Sequence, residues 1–134
     1  MSYQVLGNSI SKKSALVSIK TSSIDFGITP ETQDTLPSPA ELFLSAFSAC
    51  ILKNVERFSV YLKFEYSKAE ITVKANRLEK PPRMDEINYE LLIYSKDESL
   101  NLDLLQKNIE KFGTIYNTVN LSCSISGKIK QIKE

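Results

Sequence analysis

Apolar and polar residues alternate along several stretches of this chain and give way to helical spacing in two. The longest apolar segment is Ser38 to Lys63, SPAELFLSAFSACILKNVERFSVYLK. Ser38 is placed as an N-cap, Pro39 suits a first helical position where no amide bond is lost, and Glu41 three residues on completes a capping-box pattern. Neither Gly nor Pro occurs between Glu41 and Lys63. The spacing therefore predicts a helix of about six or seven unbroken turns. Its first half, Leu42 to Leu52, is apolar almost all round, which calls for protein on every side: the middle of a core or a subunit interface. Cys50 sits in this dry half.

Around that helix the period is two. Tyr3 and Val5, then, after a polar break at Gly7 to Lys13, the alternation of Leu16, Ser18 and Lys20 with Val17, Ile19 and Thr21 predict a hairpin with one dry face. Ile24, Phe26 and Ile28 continue it, and Thr29 to Pro37 is a polar loop. Past the helix, Ile71, Val73 and Ala75 alternate with Thr72, Lys74 and Asn76; after the turn EKPPR, Ile87, Tyr89, Leu91 and Ile93 form the antiparallel partner. Leu102, Leu105, Ile109 and Phe112 mark a short amphipathic helix stopped at Gly113. A last strand alternates Leu121, Cys123 and Ile125 with serines. The order βββ-α-ββ-α-β segregates sheet from helix, so the expected class is α+β, a single domain over residues 1–134 with antiparallel sheets around the long helix. One small sheet gives too little cover to a helix dry around its circumference. An intertwined homodimer, sharing these helices as a common core, supplies the rest.

Composition narrows the chemistry. A formal charge of +1 on 134 residues, with no block of like charge, gives no electrostatic reason for a nucleic-acid or membrane-surface partner. The N-terminus lacks the apolar core of a signal peptide and Leu42 to Leu52 is too short to span a bilayer, so the expected location is cytoplasmic. There is no histidine, which removes Ser-His and Cys-His pairs and the usual zinc sites; no metal or cofactor is expected. Two cysteines, Cys50 and Cys123, do not make a disulfide framework.

The run SPAELFLSAFSAC resembles the OsmC/Ohr family, whose central helix begins in a Pro-Glu-Leu-like segment and carries a reactive cysteine about two turns on. The later EKFGTIYNTV is similar to that family's second signature, which normally opens on a second cysteine. The resemblance implies an obligate, intertwined homodimer with active sites at the subunit interface. It further implies thiol-dependent reduction of organic hydroperoxides, in which a thiolate attacks the peroxide, becomes sulfenic acid and is captured by the second cysteine. Cys50 matches the peroxide-attacking cysteine. The second cysteine falls at Gly113 and is missing, and Cys123 lies ten residues further on. Glu41 stands one place later than the glutamate of the hydroperoxide reductases, at a position other members do use. No arginine precedes Arg57, so the family's N-terminal arginine is absent; Lys12, Lys13 and Lys20 are the cations on those strands.

These departures leave two readings of Cys50. Free cysteine is commonly a small buried hydrophobe, whereas a reactive thiol needs an opposite charge to be a thiolate at neutral pH. Lys53, Asn54 and Arg57 lie three, four and seven residues beyond Cys50 and share its face, while Phe43 and Phe47 are core aromatics or the wall of an apolar pocket. Glu41 is half of a capping box or a catalytic residue beside Cys50. Cys123 is a structural or a resolving cysteine. The leading expectation is a Cys50-based peroxidase for organic or lipid hydroperoxides, acting in oxidative-stress protection and using an external thiol as reductant. The alternatives are a non-catalytic dimer that binds a small apolar ligand and a purely structural dimer.

Overall fold

Three short alternating runs form an antiparallel meander in the computed structural model, which describes residues 1–133. Strands β1 (Leu6–Ile10), β2 (Ser14–Ile19) and β3 (Ser22–Phe26) lie in the order β1-β2-β3. Lys12 and Lys20 turn the chain between them at φ of 66° and 55°, a left-handed conformation that costs a non-glycine residue about 1–2 kcal/mol. Register sets Ala15 against Phe26 and Val17 against Ile24, so the apolar side chains share one face. The polar break expected from Gly7 to Lys13 shrinks to the turn at 11–13. The ladder is built from backbone groups, and Gly7, Asn8 and Ser9 are exposed, so their polarity does not oppose pairing. A 3-10 turn at Pro30–Thr32 shortens the predicted loop, and the Gly27 N–H donates to the Pro37 carbonyl at 3.0 Å to close it. With the start of the long helix this makes one compact unit, Met1–Phe43. Ala15 is its one buried residue.

Helix α1 (Pro39–Tyr61) continues into a second unit, Leu44–Glu134. Phe47, Ile51, Val55 and Phe58 recur every three or four residues on its buried face. Strands β4 (Lys68–Glu79) and β5 (Pro82–Tyr94) form the predicted antiparallel hairpin, and β6 (Ile125–Ile132) joins on the far side of β5. Here the expectation of antiparallel sheets needs correction: β6 runs parallel to β5, with Ile87 opposite Ile125 and Tyr94 opposite Ile132. The intervening chain makes a helical crossover that returns to the beginning of β5, which a hairpin turn cannot do.

That crossover holds two helices where one was expected, α2 (Leu102–Phe112) and α3 (Thr114–Asn120). Asn101 caps the first, accepting the Leu104 N–H at 3.1 Å. Gly113 ends it in extended backbone, after which Tyr116 and Val119 turn back into the core. Leu121 and Cys123 consequently precede β6 instead of belonging to it. Leu121 is 89% exposed, so the apolar face expected for Leu121, Cys123 and Ile125 does not form.

The core of the second unit joins the buried face of α1 to Ile87, Tyr89, Leu91 and Ile93 of β5, Leu105 and Ile109 of α2, and Tyr116 and Val119 of α3. Each fully buried aliphatic side chain contributes about 1.5–3 kcal/mol. Opposite Tyr89 across the ladder stands Gly127, where a Cβ would lie 2.0 Å from the phenol ring. The ring fills that gap and its hydroxyl donates to Glu110 at 2.7 Å, while the Gln106 amide donates to the same hydroxyl and to the Gly127 carbonyl, each at 3.1 Å. One buried polar network thus ties β5 and β6 to α2. Burial, then the Glu110 carboxylate, pushes the Tyr89 phenol well above its ordinary value.

Candidate functional site

Cys50 lies near the middle of α1, partly exposed, with Phe47 one turn before it and Asn54 one turn after. Phe47 is wholly buried: its ring stacks on Tyr116 with centroids 5.9 Å apart and tilts against Tyr89 at 6.2 Å. Phe43, by contrast, is exposed. Asn54 is only 7% exposed and aims its amide along the helix, with Nδ2 donating to Cys50 Sγ at 3.9 Å. That is a long contact even for a sulfur acceptor.

Gly113 approaches the same amide from the α2–α3 corner. It is buried, and its φ of −78° suits any residue, so backbone freedom does not explain the glycine. Space does. A Cβ at 113 would lie 2.9 Å from the Ile109 carbonyl oxygen, 3.0 Å from Tyr116 Cβ and 3.4 Å from Asn54 Nδ2. The position at which the sequence resemblance places a second cysteine is therefore next to Asn54, and through Asn54 next to Cys50, with no room for a side chain.

The other residues singled out from the sequence are engaged elsewhere. Arg57 holds its guanidinium over the rings of Phe58 and Tyr61, 5.4 and 5.7 Å from their centroids. With those rings, Leu62, Asn108 and Phe112 it lines an open cavity of about 380 Å³. Lys53 is exposed. Glu56 and Glu110 accept hydrogen bonds from the hydroxyls of Tyr66 and Tyr89. Burial followed by the Glu56 contact pushes the Tyr66 phenol up to about 12. Lys12, Lys13 and Lys20 are exposed at the turns of the first unit.

Glu41 forms the predicted capping box. Its carboxylate accepts the Ser38 N–H at 2.9 Å, and its own N–H donates to Ser38 Oγ at 3.2 Å. The Ser38 backbone bond, reinforced by the Ser38 side chain, holds the Glu41 carboxyl below its ordinary value. Cys123 is a free thiol in the turn before β6, donating to the Met84 carbonyl at 3.5 Å and packed beside the core. Cys50 is also a free thiol.

Sequence reasoning put Asn54 on the Cys50 face without giving it a role. The signal available was its polarity: an amide four residues from a cysteine, on a helix face otherwise turned to the core, needs a partner.

The sequence model of a family described as OsmC-like protein matches residues 32–128. No curated protein matches the chain in sequence. Among solved structures the chain is similar to an OsmC-like protein from Mycoplasma pneumoniae, with a TM-score of 0.87 at 16% identity over 98% of each chain. It is also similar to an organic hydroperoxide resistance protein from Elizabethkingia anophelis, with a TM-score of 0.74 at 13% identity over 98% of this chain and 99% of that one. A third likeness is the organic hydroperoxide resistance protein OhrB of Bacillus subtilis, with a TM-score of 0.62 at 16% identity over 97% and 98%. At these identities the structural likeness is one of fold. No helix among the described residues is long and apolar enough to cross a membrane.

Proposed function

The chain belongs to the OsmC-like family, and from that premise we propose that Cys50 is the reactive thiol of a peroxidase that reduces organic hydroperoxides. The observation that carries this reading is the setting of Cys50: a partly exposed cysteine on the central helix with a buried amide N–H directed at its sulfur. The thiolate attacks one peroxide oxygen and the O–O bond breaks. The departing alkoxide takes a proton to leave as an alcohol, and the sulfur is left as sulfenic acid. A thiol from outside the chain then attacks that sulfur, water leaves, and a mixed disulfide forms. A second external thiol displaces it, restoring Cys50 and releasing the reductant as its disulfide. Cys123, bonded to the Met84 carbonyl, takes no part. Glu41 acts here through the helix start that presents Cys50.

We further propose that the working form is the intertwined homodimer, located in the cytoplasm. Support comes from apolar side chains left uncovered on one chain: Leu6 is 66%, Ile10 54%, Val60 72% and Tyr61 67% exposed. A second copy of the chain is the cover that a shared core supplies.

Stopped-flow thiol loss with cumene hydroperoxide, comparing the native chain with Cys50→Ser and Cys123→Ser, tests the chemistry. Rapid loss confined to Cys50, faster with the organic peroxide than with hydrogen peroxide, is expected. A rate no greater than that of free cysteine overturns the peroxidase. A second reading, a binder of a small apolar ligand, is favoured by the aromatic lining of the cavity beside Phe58 and Phe112. In that case an apolar fluorophore binds saturably and Cys50→Ser leaves its affinity unchanged.

A further inference from the structure

We propose that Asn54 is the group that stabilises the Cys50 thiolate. The inference rests on the peroxidase reading and names the residue that substitutes for the missing cation. Asn54 is more than nine-tenths buried, yet among the described residues the Cys50 sulfur is the one hydrogen-bond partner of its side chain. A buried amide without a partner costs about 1–3 kcal/mol. The face of α1 that carries it is otherwise filled by the apolar side chains Phe47, Ile51, Val55 and Phe58. An amide aimed at a sulfur therefore does something a hydrocarbon cannot. An N–H donor favours the charged form of its acceptor, and a neutral carboxamide does so without the penalty of burying a cation.

The titratable groups of the helices around it are exposed or held by other partners. On α1, Lys53 is exposed and Arg57 lies over two rings. On α2, Glu110 is held by Tyr89 and Gln106, and Lys111 sits over the Phe112 ring at 5.3 Å. Tyr116 of α3 stacks on Phe47.

The packed corner beside that amide shapes the fate of the oxidised sulfur. A side chain at position 113 is refused by the Ile109 carbonyl and Tyr116 Cβ, 2.9 and 3.0 Å from where its Cβ would lie, with Asn54 Nδ2 at 3.4 Å. A sulfenic acid on Cys50 has no protein thiol facing it from that corner, so it waits for a thiol that diffuses in.

The test uses the full chain carrying Cys123→Ser, so that one thiol is observed. Ultraviolet thiolate absorbance is followed against pH, alongside the rate of alkylation by iodoacetamide at neutral pH. Asn54→Leu is expected to move the thiolate midpoint upward by about one pH unit and to slow neutral-pH alkylation about tenfold. Asn54→Asp, of nearly the same shape, is expected to move it further upward, because a like charge opposes the thiolate. Near-ultraviolet circular dichroism checks that each variant is folded; if the leucine variant is not, Asn54→Ala, which also removes the donor without adding charge, takes its place with the same upward shift expected. A folded variant whose midpoint matches the parent overturns the assignment. Consumption of cumene hydroperoxide by the parent is measured in the same samples. A reactive parent whose midpoint ignores Asn54 removes this assignment and leaves the peroxidase standing; an unreactive parent whose midpoint depends on Asn54 does the reverse.

Discussion

The two units of this chain solve the burial problem in opposite ways. In Leu44–Glu134, thirteen apolar side chains form a continuous buried cluster. In Met1–Phe43, three paired strands bury Ala15 alone, and Leu6, Ile10, Ile24 and Ile28 remain exposed. Both are built from apolar alternation, so pattern alone does not make a core. What separates them is helix cover. Strand β5 has α1, α2 and α3 over its apolar face, whereas the first unit has no packed layer of its own, and small sheets gain stability only when an apolar face is covered. The first unit is the part of the chain that the proposed second copy would cover most.

Substitutions that act in one unit and spare the other sharpen the contrast. The largest effect is expected at Gly127→Ala, whose methyl group would collide with the Tyr89 ring and displace the network joining β5, β6 and α2. A loss of about 3 kcal/mol or more in urea unfolding is expected there, and Leu91→Ala should cost about 2–5 kcal/mol. In the first unit Leu6→Ala should change the intrinsic stability by under about 0.5 kcal/mol while lowering the mass seen by light scattering at micromolar concentration. A native chain that is already monomeric there would remove the shared-core account.

An intermediate effect is expected at the helix start, which belongs to the first unit but launches the helix that anchors the second. Ser38→Ala removes the acceptor for the Glu41 N–H and should cost about 1 kcal/mol. Glu41→Gln keeps a reciprocal acceptor for the Ser38 N–H and should cost less. If Glu41→Gln instead abolishes peroxide turnover while stability holds, Glu41 has a catalytic role beyond the cap.

Acid gives the smallest and most graded response. The Ser38 bonds hold Glu41 below its ordinary 4.5. The Ser124 backbone bond holds Asp85, and the Ser99 hydroxyl holds Asp97, below their ordinary 3.8. Carboxyls lowered in the folded state add stability that is present above their unfolded values and lost as pH falls through their folded ones. Stability should thus be flat above about pH 5 on this account and decline below about pH 4.5. Asp85→Asn and Asp97→Asn, both in the second unit, should flatten more of that decline than Glu41→Gln in the first.

Much of this was legible in the chain itself. The SPAE start predicted both bonds of the capping box, the alternation from Ile71 to Ile93 predicted the β4–β5 hairpin, and the spacing from Leu102 predicted α2. Local rules sufficed because each feature is decided by residues within a turn or a hairpin of one another. The second helix of the crossover was missed for a different reason. Gly113 reads as a stop, and only the packing of Tyr116 and Val119 against distant residues makes a seven-residue helix worth forming. The same is true of the parallel pairing of β6, which depends on where the crossover delivers the chain.

Sequence by itself determined the long capped helix, the position of Cys50 on it and the absence of both a cysteine at 113 and an arginine upstream of Arg57. Tertiary structure decided what those absences mean. It carried the α2–α3 corner up to α1, closed the space at Gly113 and buried the Asn54 amide beside the sulfur. Cys50 and Asn54 meet by helical spacing, but Gly113 reaches Asn54 because long-range packing brings two helical segments together, and spacing along a chain holds no information about a contact of that kind.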